Sequence, residues 1–132
     1  MCPPRIPEAV ERLILESIDS VELLRVLMLL FEHPERDWSV AELNRELRSS
    51  ESSIAKRLSD LYARRLLARP AESRIEEARH RYVPGSAAIA PVILGLAECH
   101  RVMPYRVIEL IYSRPAEALR AFADAFKIKR ED

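Results

Sequence analysis

"SSESSIAKRLSDLYARRLL", residues 49–67, opens on serines, spaces its apolar residues at helical intervals and sets cations between them. Ile54, Leu58 and Leu61 stand at i, i+4 and i+7, the repeat of one buried stripe on an α-helix. Ser52, Lys56, Ser59 and Ala63 then face away. A turn of about 100° per residue sets Lys56 near the middle of that outer face, with Ser53 and Arg57 on its flanks. The exposed side is short, polar and partly cationic. Upstream, SVAE at 39–42 has the spacing of a capping box, in which the Glu42 amide donates to the Ser39 hydroxyl and the Ser39 amide donates to the Glu42 carboxylate. A short helix therefore starts at Val40, with Val40, Leu43 and Leu47 inward, and only RSS separates it from the helix that starts near Glu51. Two short helices joined by a tight polar turn predict a helix-turn-helix.

Prolines punctuate the rest of the chain, and glycine is confined to Gly85 and Gly95, so helices are expected to dominate. A first helix over about 7–18 collects Val10, Leu13 and Ile14 on one side. Asp19 or Ser20 can cap a second helix that runs to about Glu32, where His33-Pro34 ends it. This second helix is apolar almost all round and belongs at the centre of the domain. Downstream, RLLARP and ARHRYVP bracket the polar AESRIEE and predict a two-stranded β-hairpin, although strict alternation is poor. From Ser86 helical spacing returns, with Ile89, Val92, Ile93, Leu96, His100 and Met103 close to one face and Pro91 a candidate start. Pro104 and Pro115 read as first-turn prolines of two further helices, the second burying Leu119, Phe122 and Phe126. The expected organisation is one mainly α domain over 1–132. Residues 20–83 form its core, and 1–18 and 86–128 supply flanking helices.

A chain of 132 residues, 48% hydrophobic and 32% charged, is long enough for one well-packed core. The longest apolar run, within VELLRVLMLLF, is broken by Glu22 and Arg25 and falls short of a bilayer span. No signal-peptide pattern opens the chain, so a cytoplasmic protein without membrane association is expected. Cys2 and Cys99 suggest neither a disulfide framework nor a CxxC knuckle. GxSxG, HExxH and phosphate-binding glycine loops are all missing and the three histidines are dispersed, which argues against an enzyme and calls for no cofactor. Glu98, Cys99 and His100 are consecutive on a helix and point about 100° apart, so they cannot converge on one metal ion without help from another chain. His100 reads as a packed histidine, and Trp38 as a packing anchor beside the capping box.

Net charge is zero but unevenly spread. Residues 1–35 hold 3 Arg against 7 acids (−4), residues 36–83 hold 11 Lys/Arg against 8 acids (+3), and the remainder holds 7 against 6 (+1). The positive excess coincides with the helix-turn-helix, as a polyanion partner would require.

Residues 39–83 resemble the DNA-reading segment of bacterial regulators of the MarR and ArsR kinds. Ser50, Ser52, Ser53, Ile54, Lys56, Arg57, Leu58 and Leu61 take the serine, threonine, valine, basic and leucine places of that segment, and Leu66-Leu67 takes the apolar pair that starts the wing. The resemblance implies a winged helix-turn-helix: a three-helix core plus a two-stranded β-hairpin wing, with N- and C-terminal helices for dimerisation. It implies a homodimeric transcription regulator that binds double-stranded DNA with each recognition helix in a major groove, and it leaves a small-molecule effector open. Family members usually carry Gly immediately before the apolar pair, where this chain has Arg65. Either Arg65 adopts the left-handed conformation at a cost, or the helix ends differently and the wing is displaced. The residues expected to meet DNA are Ser52, Ser53, Lys56 and Arg57 on the recognition helix, Arg64 and Arg69 after it, and Arg74, Arg79 and Arg81 in the hairpin, where Glu72, Glu76 and Glu77 lie among them. A continuous cationic band across Lys56, Arg57, Arg64, Arg69 and the hairpin favours DNA. A band interrupted by acids favours the alternative, a protein-interaction or assembly module without sequence-specific DNA binding.

Overall fold

A computed structural model describes residues 6–69 and 74–113. Five helices follow one another: α1 (Glu8–Ser17), α2 (Val21–Glu32), α3 (Val40–Leu47), α4 (Glu51–Ala63) and α5 (Ile89–Val102). A further helical segment, α6, spans 104–113. The chain is thus mainly α. The starts of α2, α3 and α4 are written locally. The Leu23 amide donates to the Ser20 hydroxyl at 3.1 Å, and the Ser53 amide donates to the Ser50 hydroxyl at the same distance. The capping box at α3 closes in both directions, at 3.1 and 2.9 Å. Between α3 and α4 the chain reverses at Arg48, whose φ of 55° is left-handed, and the Ser49 amide donates to the Asn44 side chain. The tight helix pair follows from these local bonds.

α2 occupies the centre, burying Leu23, Leu24, Val26, Leu27, Met28 and Leu30, and packs against α3 and α4. α1 packs against α5, its Val10, Leu13 and Ile14 joining Ile93 and Leu96 in a core that runs from Val10 to Ile111. Gly95 allows that approach: a Cβ there would lie 3.0 Å from a Val10 methyl. Trp38 is buried with the Arg36 guanidinium 3.5 Å over its ring, as expected of an anchor beside the capping box. Among the described residues no helix is long and apolar enough to cross a membrane.

The two-stranded β-hairpin wing is not formed. Among the described residues there is no strand, only isolated bridges between Leu67 and Pro84 and between Trp38 and His80. Three features explain it. Residues 74–78 close a helical turn, with the Ala78 amide donating to the Arg74 carbonyl at 3.0 Å. The returning chain then divides its hydrogen bonds between two partners, because His80 exchanges both of its bonds with Trp38 while Val83 and Gly85 bond Ala68 and Leu66. Pro84 also has no amide proton with which to extend a ladder. The winged form implied by the resemblance is therefore corrected to a helix-turn-helix followed by an irregular excursion. Arg65 settles its own alternative, with φ at 60°, the left-handed conformation in which glycine is usual. The expected helix from Pro115, Cys2 and Glu72 lie outside the described residues.

Candidate nucleic-acid interface

The buried stripe of α4 (Ile54, Leu58 and Leu61, joined by Ala55 and Tyr62) fixes where every other side chain of that helix points. Ser52, Lys56 and Ser59 fall on one side of the outer face and Ser53, Arg57 and Arg64 on the other, and the two sides meet different surroundings.

The first side faces the excursion. Ser52, Ala55, Lys56 and Ser59 form one wall of an open groove of about 520 Å³, and Arg69, Arg74, Ile75 and Glu76 form the opposite wall. Lys56 is exposed and reaches Asp60 at 3.4 Å, while Arg74 approaches Glu77 at 3.8 Å. Exposed pairs of this kind hold their cations weakly, so both remain competent to meet another anion. The second side faces the corner between α1 and α2. There the Glu22 carboxylate accepts from the Ser49 hydroxyl, the Ser53 hydroxyl and the Arg57 Nε, the last at 2.8 Å. Arg64 donates to the Ser17 carbonyl at 2.8 Å and to Asp19 at 3.0 Å, with Asp60 at 3.8 Å. Partial burial pushes the Glu22 carboxyl up, but donation from Ser49, Ser53 and Arg57 outweighs it and the net shift is downward.

Arg79 turns away from the groove to Asp37 and to Glu42, each at 2.8 Å. The Ser39 amide and Arg79 together hold the Glu42 carboxyl below its ordinary value, so this arginine reinforces the α3 capping box. Arg81 is exposed, does not line this groove, and acts on Asp37 through its charge. Behind the groove, His80 is fully buried. Its Nε2 lies 2.9 Å from the Ile75 carbonyl, which can only accept, so that nitrogen carries the proton and Nδ1 accepts from the Tyr62 hydroxyl at 2.5 Å. Burial raises the Tyr62 phenol to about 12.

Of the nine residues expected to meet DNA, the structure brings Ser52, Lys56, Arg69 and Arg74 together around one groove. It ties Ser53, Arg57 and Arg64 to part-buried carboxylates, turns Arg79 to Asp37 and Glu42 at the surface and leaves Arg81 apart. The cationic band is therefore interrupted at its α1–α2 edge. Ser59 and Glu22 were not among the expected site residues. Ser59 stands at i+7 from Ser52 and i+3 from Lys56, a spacing that marks it on the same face. Nothing local in the sequence ties Glu22 to residues about thirty positions later. Among the described residues no group of His, Cys, Asp or Glu is placed to hold a metal ion. Comparison of the chain with family models, with characterised proteins and with solved structures gives no match.

Proposed function

We propose that the protein binds double-stranded DNA through its helix-turn-helix and acts as a homodimeric transcription regulator on a roughly palindromic site. The observation that carries this reading is the groove between α4 and the 74–76 turn. One wall presents short hydroxyls and Lys56 from an exposed helix face, and the other presents Arg69 and Arg74. Ser52, Lys56 and Ser59 are suited to base edges in a major groove that admits one helix, and Arg69 and Arg74 to the flanking phosphates. Exposed Leu94, Val102, Tyr105 and Tyr112 on α5 and α6 supply an apolar surface for a second copy.

The test is selection of bound duplexes from a random pool by the purified chain, followed by salt titration on the enriched site. Lys56→Ala and Arg69→Ala are each expected to weaken binding and to flatten the slope of log affinity against log salt by about 0.9 for each phosphate left without its cation. Variants that bind as wild type at every salt concentration refute the reading. The competing function, a protein-interaction or assembly module without sequence-specific DNA binding, is the one an interrupted cationic band favours, and Arg57, Arg64 and Arg79 are each paired with acids of the same chain. It is favoured if no sequence is enriched.

A further inference from the structure

We propose that Glu22, on α2 and outside every face expected to touch DNA, is a positioning residue that sets how α4 presents Ser52, Lys56 and Ser59; this rests on the DNA-binding reading above. Donors from two elements end on its one carboxylate. Ser49 comes from the turn between α3 and α4, and Ser53 and Arg57 stand one helical turn apart on α4. The side chains of Glu22 and Arg57 are each only 24% exposed. All three donors lie on the flank of the helix-turn-helix away from the groove, so a rotation of α4 about its axis, or a slide along it, breaks the cluster. The same rotation moves Lys56 and Ser52 off their register with a duplex.

A carboxylate suits the place, because one of the three donors is a guanidinium. Glu22 Oε2 accepts from Ser49 while Oε1 accepts from both Ser53 and Arg57; an amide carries no charge for the Arg57 guanidinium and puts an N–H pair in place of one oxygen, so that Ser49 must reverse its hydroxyl to accept. The far end of α4 has a separate tether in Arg64, bonded to Ser17 and Asp19. Loss of the Glu22 cluster therefore frees the reading half of the helix without releasing the whole of it.

The experiment compares full-length wild type, Glu22→Gln, Arg57→Ala and the double variant on the enriched duplex and on a scrambled one at a single salt concentration. Amide hydrogen exchange along α4 is followed in the free proteins. Glu22→Gln is expected to lower the ratio of affinities for the two duplexes about tenfold and to speed exchange in the first turns of α4, with the centre of α2 unchanged. Arg57→Ala lowers the ratio likewise, and the double variant is no worse than either single one. Removing a negative charge near DNA, by itself, strengthens binding to both duplexes alike; a rise with the ratio intact overturns the proposal, as does an additive double variant. If Glu22→Gln does not fold, Ser49→Ala, which removes one donor from the turn, is read in its place: a smaller fall in the ratio supports the proposal and an unchanged ratio overturns it. Failure of wild type to enrich any sequence overturns the DNA reading instead, and the exchange rates then decide whether Glu22 holds α4.

Discussion

Lys56 and Arg57 are neighbours in the chain but about 100° apart on α4, and that angle gives them different work. Lys56 borders the groove with an exposed, weakly held ammonium; Arg57 is folded back onto Glu22. Replacing Lys56 by Ala should change stability by less than about 0.5 kcal/mol, whereas Arg57→Ala, which leaves a partly buried carboxylate short of a donor, should cost about 1 kcal/mol. Urea denaturation of the two variants checks the contrast. Glu22 also carries a pH signature. Its carboxyl is held below the ordinary 4.5 in the fold, so the stability it contributes is complete above pH 4.5 and is lost as pH falls below that value through the folded one. Glu22→Gln should flatten this acid limb. Tyr62 has the opposite sign: its phenol rises from 10.0 to about 12, so its contribution is complete below pH 10 and disappears between 10 and 12. Tyr62→Phe should remove that alkaline loss and, by deleting the hydroxyl bonded to His80 Nδ1, cost about 1 kcal/mol at neutral pH.

At the level of elements, the helices up to α4 were legible because their signals are local. Ser20, Ser39 and Ser50 each cap within three residues, and Ile54, Leu58 and Leu61 define the inward face of α4 unaided. The hairpin was misread because its hydrogen bonding is not local. RLLARP and ARHRYVP look like partners, yet His80 pairs with Trp38, some forty residues earlier, and nothing in either segment announces that competition. The root of the excursion is held by the pairing of Leu66 with Gly85, and a Cβ on Gly85 would fall 2.0 Å from the Arg65 carbonyl oxygen. Gly85→Ala is therefore expected to destabilise the protein by about 1–3 kcal/mol through forced displacement of backbone, a change that thermal melting reads directly. Arg65→Gly should act in the other direction. At a φ of 60° glycine has no Cβ penalty, and the melting temperature should rise.

Across the whole molecule, the zero net charge resolves into an internal match. The acidic first 35 residues send Glu22 and Asp19 to Arg57 and Arg64 of the basic middle segment. Composition showed the imbalance and periodicity showed the cationic face, but which acid meets which arginine depends on how α2 crosses α4, a tertiary fact that no spacing encodes. For the same reason the sequence could not show that Ser53, Arg57 and Arg64, on one flank of α4, meet acids of the first 35 residues. Tyr105 is 83% exposed and Tyr112 73%, seven residues apart on α6. If they join two copies, sedimentation at micromolar concentration should show a dimer that Tyr105→Ser/Tyr112→Ser converts to a monomer without loss of fold. Behind the groove, a hidden link runs from Tyr62 on α4 through His80 to the Ile75 carbonyl. Tyr62 and Ile75 belong to the two elements that wall the groove, so the two walls are strutted to each other from behind. If this face meets a duplex as proposed, little conformational freedom is lost between the two walls on contact.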